Sequence, residues 1–165
     1  MAPFVLVLDN VRDPGNVGTI IRTACALGVE KILLTKGCVN VWSSKVLRSS
    51  MGAHFKTRIY DNLDVRQVKY FISKSSHVLL AEVRENSISC TEIQRHFKMQ
   101  PLKHVSLIMG NETRGISADL RKSTNEINHS NQVTSIKICL NNGVESLNCA
   151  IAFAIIAYEI KKCFE

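Results

Sequence analysis

Short apolar runs punctuate the chain at Phe4–Leu8, Lys31–Leu34, Val78–Ala81, Val105–Met109 and Ile136–Leu140. Near-continuous hydrophobicity over so few residues is the pattern of strands buried on both faces. Between them, Val17–Leu27, Lys45–Met51, Val65–Ser73, Thr91–Phe97, Ser117–Lys122 and Leu147–Lys162 read as helices. Strand alternating with helix predicts an α/β domain, with a mainly parallel sheet covered by helices on both faces. Asn16 is expected to cap the first helix, Gly28 to end it in a left-handed conformation, and Ser117 to cap the short helix that follows it. The polar stretch Ser123–Ser135 reads as a surface loop with room for a short edge strand.

A chain of 165 residues is long enough for one core, so a single domain is expected to fill residues 1–165, with no separate N-terminal domain. Charge changes the picture next: 21 Lys and Arg against 14 Asp and Glu give a formal +7, which suits a polyanionic partner but does not require one. The six cysteines form no CxxC pair, and the five histidines show no i, i+4 pairing, so no metal site is expected. The longest apolar run, Cys149 to Tyr158, falls short of the ~18 residues that suggest a membrane span. Met1-Ala2-Pro3 leads directly into the first strand, which leaves no space for a targeting leader in this sequence.

Ligands of parallel α/β sheets bind outside the carboxyl ends of the strands. Three loops there are unusual. Leu8 is followed by Asp9 through Gly18 and a helix bearing Arg22 and Thr23; Met109 by Gly110-Asn111-Glu112-Thr113-Arg114-Gly115; Leu140 by Asn141-Asn142-Gly143-Val144-Glu145-Ser146-Leu147-Asn148. Neither GxGxxG after a strand nor GxxxxGK[ST] occurs, which removes the common dinucleotide and phosphate loops. Each segment alone has a plain reading: Asp13-Pro14-Gly15-Asn16 as a turn, Glu112 as a solvated carboxylate, Asn148 as a helix cap. Arg22 fits a plain reading least, because Val17, Ile20, Ile21, Ala24 and Cys25 around it are apolar.

Together these segments resemble the SpoU (TrmH-like) branch of the knotted SPOUT methyltransferases. Asn16-x-Gly18-x-x-x-Arg22-Thr23 matches that family's first motif, Gly110-Asn111-Glu112-x-x-Gly115 its second, and Ile138 through Ser146-Leu147-Asn148 its third. The stretch from Leu33 through Arg48 to Phe55 further resembles the mitochondrial ribosomal RNA methyltransferases of this family. Departures fall in the third motif, where Cys139, Asn142 and Cys149 replace the family's usual proline, glycine and valine.

The resemblance implies a C-terminal deep trefoil knot, S-adenosyl-L-methionine as cofactor, and transfer of its methyl group to an RNA ribose 2′-hydroxyl. It further implies ribosomal RNA as substrate, with guanosine favoured, a homodimer, and a mitochondrial location, with the cytoplasm or the nucleus as the alternative. A transfer RNA substrate, or a catalytically silent RNA-binding assembly factor, is the alternative. By the same resemblance Met109, Gly110, Ile138, Leu140 and Leu147 would hold the cofactor, while Arg22, Asn16, Glu112, Ser146 and Asn148 would serve catalysis. A guanidinium is a poor proton acceptor, so Arg22 is expected to stabilise a developing alkoxide rather than act as a base. Arg12, Lys36, Lys45, Arg48, Arg114 and Arg121 are the candidate phosphate contacts.

Overall fold

The computed structural model describes residues 4–98, 102–127 and 132–164. Strands β1 (Phe4–Leu8), β2 (Lys31–Thr35), β3 (Arg58–Leu63), β4 (His77–Ala81), β5 (Ile88–Ser89), β6 (Val105–Met109) and β7 (Gln132–Lys137) form one sheet. Its order is β3-β2-β1-β6-β4-β7-β5, and every described pairing is parallel. Helices α1 (Pro14–Ala26), α2 (Ser44–Ser50), α3 (Val65–Ile72), α4 (Ile93–His96), α5 (Ala118–Asn125) and α6 (Cys149–Lys162) lie between and after the strands.

The period-two geometry of a strand divides the core in two. Phe4, Leu6 and Leu8 of β1 point into a cluster with Ile20 and Ile21 of α1, Val46 of α2, Ile93 of α4 and Phe153 of α6. Val5 and Val7 point the other way, toward Val68 and Ile72 of α3 and Leu120 of α5. Helices therefore cover both faces, as the alternation of runs predicts.

Three strands depart from expectation, the two-residue β5 among them because it is too short to form an apolar run. β3 carries Arg58, Tyr60, Asp61 and Asn62 exposed at the sheet edge, so it has no apolar run to betray it. The last strand is Gln132–Lys137 rather than Ile136–Leu140, because its partner β4 ends where Ala81 meets Ile136. Beyond Lys137 the chain leaves the sheet. The polar stretch expected as loop contributes Ser123–Asn125 to α5 and residues 132–135 to β7; residues 128–131 lie outside the described residues. Since β5 pairs only with Ile136 and Lys137, the first part of β7 behaves as an edge despite its interior place.

Helix starts are more specific than the sequence suggests. Asp13, not Asn16, caps α1: its Oδ1 accepts from the Asn16 backbone N–H at 2.7 Å, with Pro14 at the first helical position. Asn16 is thereby freed for another task. Gly28 takes φ 77° just past the helix end, as expected. Ser117 occupies the cap position of α5, yet its side chain makes no capping bond. Gly18 is a packing glycine: a Cβ there would meet Ser49 Oγ at 1.8 Å and the Val46 carbonyl at 2.6 Å, so α1 and α2 approach only because it is absent.

Candidate active site

Parallel strands bring the loops after β1, β4, β6 and β7 to one edge of the sheet. Asp9, buried at 2% exposure, ties together the chain at the ends of β1, β2 and β6. Its Oδ1 accepts from the Thr35 hydroxyl at 3.0 Å and from Asn10 Nδ2 at 3.0 Å, and its Oδ2 accepts from the Ser117 backbone N–H at 2.7 Å. Asn111 Nδ2 donates to the Asn10 carbonyl at 3.0 Å, which ties the second motif to the first. The loop after β6 closes on itself, Asn111 N–H to Gly115 O at 3.0 Å and Gly115 N–H to Asn111 O at 2.8 Å. That closure explains Gly110, since a Cβ there would lie 2.2 Å from the Gly115 carbonyl carbon.

Asn16, Glu112 and Asn148, one from each motif, form a bonded chain. Asn148 Oδ1 accepts from the backbone N–H groups of Ala150 at 2.9 Å and Ile151 at 3.3 Å, capping α6. This use of the oxygen fixes the amide, so its Nδ2 faces outward and donates to Asn16 Oδ1 at 2.9 Å. Asn16 Nδ2 in turn donates to Glu112 Oε1 at 2.9 Å. The start of the last helix thus sets the direction of a hydrogen-bond relay that ends on a carboxylate. Its second oxygen stays available to a substrate. Beneath it, burial pushes the Cys149 thiol up to about 12, with the Glu112 carboxylate and Cys38 adding to the shift. Cys149 is therefore a neutral packing residue.

Beside this relay lies a pocket of about 160 Å³ between β4, β6, the residues after β7 and α6. Met109, Ile138, Leu140 and Leu147 form its apolar wall, with Glu82, Glu145 and Ser146 at its polar margin. An apolar slot with a few polar groups at the rim suits a flat heteroaromatic ring such as adenine. Ile138 and Leu140 line it because they lie past the end of β7, which accounts for apolar residues outside the sheet. Gly110 is not on this wall. Asn142 and Gly143 both turn left-handed, at φ 59° and 71°, so the chain still makes the turn where Asn142 replaces the family's usual glycine.

Glu82, which the sequence reading did not single out, joins this pocket to a second cleft. Its Oε1 accepts from Arg121 Nη1 at 2.7 Å and from the Ser135 hydroxyl at 2.8 Å. Desolvation pushes its carboxyl up, but the Arg121 and Ser135 bonds with the charges of Arg121 and Arg84 outweigh that and hold it below the ordinary value. The cleft, about 980 Å³, is lined by Arg12, Arg84, Arg114, Arg121 and Lys122. Arg12, Arg114 and Arg121 were expected on a basic surface; Arg121 is already paired. Lys36, Lys45 and Arg48 lie elsewhere.

Arg22 does not join the relay. It sits six residues past Asn16, on the exposed stripe Thr19, Arg22 and Ala26 of α1, and no described residue bonds its guanidinium. Alongside, α6 exposes Ile151, Ile155 and Tyr158. Among the described residues no cluster of His, Cys, Asp or Glu is arranged for a metal, and no helix is long and apolar enough to cross a membrane.

Comparison with known proteins bears on the same three loops. A family model described as the SpoU rRNA Methylase family matches residues 3–158. A zebrafish (Danio rerio) relative, "rRNA methyltransferase 3A, mitochondrial", is 31% identical over 95% of this chain and 43% of its own length. The "23S rRNA (guanosine(2553)-2'-O)-methyltransferase RlmP" of Bacillus subtilis is 31% identical over 95% of this chain and 57% of its own. The chain thus spans about half the length of these curated relatives. A crystal structure of an AdoMet-bound rRNA methyltransferase from Sinorhizobium meliloti superposes with TM-score 0.79 at 28% identity, over 97% of this chain and 56% of that one. With the fold, the three motifs and the matched span in agreement, the chain belongs to the SpoU rRNA methylase family.

Proposed function

We propose that this chain is a catalytic domain that transfers a methyl group from S-adenosyl-L-methionine to a ribose 2′-hydroxyl of ribosomal RNA, with guanosine the favoured nucleotide. The observation that carries this reading is the relay from Asn148 through Asn16 to Glu112 beside the apolar pocket. The AdoMet-bound Sinorhizobium relative supports the cofactor, and the activity by which the Bacillus relative is named supports the 2′-oxygen and guanosine.

The cofactor, when bound, supplies a methyl group on a sulfonium. Met109, Ile138, Leu140 and Leu147 would hold its adenine in the apolar slot. Glu112, aimed by Asn16, orients the ribose. Transfer to the hydroxyl would require its proton to leave to water, and negative charge would develop on the oxygen as that proton departs. Arg22 and Ser146 stabilise that charge, Arg22 also reaching the adjacent phosphate. The basic cleft lined by Arg12, Arg84, Arg114 and Lys122 receives the flanking phosphates. The strand order, with β6 between β1 and β4, supports the trefoil-knotted threading of the family's C-terminal segment.

A second copy completes the assembly. Ile151, Ile155 and Tyr158 form an apolar stripe on α6 next to the exposed stripe of α1, and pairing there would bury both and bring Arg22 to the rim of the interface. The zebrafish relative supports a mitochondrial location.

The test is methyl transfer from labelled cofactor to ribosomal and transfer RNA in parallel, followed by nuclease digestion and mass spectrometry. 2′-O-methylguanosine in ribosomal RNA is expected. Label on a base would refute ribose specificity, label confined to transfer RNA would move the substrate, and failure to bind cofactor would leave an RNA-binding assembly factor. Light scattering that shows a monomer at micromolar concentration would refute the dimer.

A further inference from the structure

Between Trp42 and Lys56 the chain displays large apolar side chains in water for no reason its own fold supplies. Phe55 is 83% exposed, Met51 71% and Trp42 52%. Single exposed apolar residues are ordinary, but three within one short turn-rich segment mark an interaction surface. The segment is also rigid. His54 is buried, its Nε2 bonded to the Val41 carbonyl at 2.9 Å and its Nδ1 to the Ser50 hydroxyl at 2.6 Å. The Trp42 ring leans against it at a tilt of 52° with centroids 5.4 Å apart, which holds the indole in place while half of it stays exposed. Phe55 stands on the 3₁₀ turn Ala53–Lys56, entered through left-handed Met51 and Gly52 at φ 51° and 78°.

Charge identifies the occupant. From Lys31 to Tyr60 the sequence contains no Asp or Glu. Lys36, Lys45, Arg48 and Lys56 are exposed, with no ion pair among the described residues. A second copy pairing here about a twofold axis would set this acid-free surface against itself. A partner with flat apolar rings and regular negative charge suits it on both counts.

We infer that the segment Trp42–Lys56 is a docking platform for unpaired nucleotides of RNA, whose bases stack on Trp42 and Phe55 while Lys45, Arg48 and Lys56 take phosphates. The inference rests on the RNA substrate proposed above and adds a contact outside the relay and the pocket. Prepositioned aromatic rings stack on any base without reading sequence, and lysines and arginines beside them track the backbone. The platform also borders the site: Ser49 Oγ of α2 donates to the Pro14 carbonyl at 3.3 Å, at the start of α1. A strand leaving the site therefore has a short path to it.

Trp42 is the chain's only tryptophan, so its fluorescence reports on the platform directly. The intact chain is titrated with a uridine-rich single strand of about 12 nucleotides and, separately, with inorganic tripolyphosphate. The RNA should quench the indole and tripolyphosphate should not. Phe55→Ala should weaken RNA binding about tenfold, since stacking one base contributes on the order of that factor or more. Arg48→Ala should reduce the salt slope by about one. Phe55 is exposed, so its truncation leaves the fold intact, and calorimetric cofactor titration should be unchanged. Equal quenching by tripolyphosphate, or unaltered RNA affinity in Phe55→Ala, would overturn the platform. So would a shift in oligomeric state by Phe55→Ala without loss of RNA affinity. Methyl transfer without Phe55-dependent quenching would sink only the platform; Phe55-dependent quenching without methyl transfer would sink only the enzymatic reading.

Discussion

Asn148 performs two tasks with two ends of one amide, and substitution can separate them. Asn148→Ala removes both: the cap on the Ala150 and Ile151 N–H groups and the donor to Asn16. Loss of the cap costs about 1 kcal/mol, and loss of an exposed side-chain hydrogen bond about another 0.5 to 1. For a domain of this size that is a fall in Tm of about 3–8 °C. Asn148→Asp keeps an acceptor on the same N–H groups, at the positive end of α6, so stability should stay within about 0.5 kcal/mol of the parent. Yet the carboxylate offers no donor to Asn16 Oδ1. Asn16 must then turn its amide round, which presents its oxygen to Glu112 and replaces an attraction with a repulsion. Both variants should lose methyl transfer, by roughly 10²-fold if Glu112 is misdirected by about an ångström. Single-turnover transfer of labelled methyl to RNA, with thermal melts of the same proteins, measures both quantities. Wild-type transfer by Asn148→Asp would refute the relay, and a melt as low as that of Asn148→Ala would refute the division of labour.

Arg22→Ala should abolish transfer, by at least ~10²–10³ in rate, while leaving calorimetric cofactor affinity near that of the parent, and Arg22→Lys should rescue little; loss of cofactor binding would put Arg22 in the wrong part of the site. Gly18→Ala should destabilise the chain by about 1–3 kcal/mol in denaturant melts, and Ser49→Ala should rescue only part of this, because the Val46 carbonyl would remain 2.6 Å from the new Cβ. The Glu82 carboxyl is held below its ordinary value of 4.5, so its contribution to stability is full above that pH and fades as pH falls through the lowered value. Glu82→Gln should flatten that acid limb of the stability profile, and an unchanged limb would show that the Arg121 pair is not responsible.

Much of the fold was legible because buried parallel strands declare themselves: β1 and β6 have the bounds that their apolar runs predict. β3 was not, since an exposed edge strand such as Arg58–Leu63 has no hydrophobic pattern to read. The end of β7 was misplaced because Ile138 and Leu140 are apolar for the sake of a pocket, and hydrophobicity alone does not separate pocket from core. At the site, motif spacing brought out Asn16, Glu112 and Asn148, but not what holds them. Asn16 looks like a cap, and only Asp13, three residues earlier, displaces it from that role. Asp9 stands in the sequence only as the first residue of the loop after Leu8; its function as a clamp depends on Thr35 and Ser117, 26 and 108 positions away. No local pattern carries such a distance. Arg22 fell where its helix period puts it, on an exposed stripe, and its chemistry depends on molecules that lie against that stripe.

The position of β6 also governs how the chain must come together during synthesis. β1 and β4 are complete early, but β1 reserves one flank, and β4 both, for strands that have not yet been made. Until Val105–Met109 emerges, two hydrophobic, unpaired edges face each other across a gap one strand wide. At roughly 5–20 residues per second the ribosome takes on the order of seconds to travel from Ala81 to Val105. Through that interval the nascent chain presents the kind of edge that recruits stray strands from other molecules. Chains halted in this window should be the most dependent on chaperones, and a fragment ending before Val105 should aggregate where one ending after Met109 should collapse into a sheet with its centre filled.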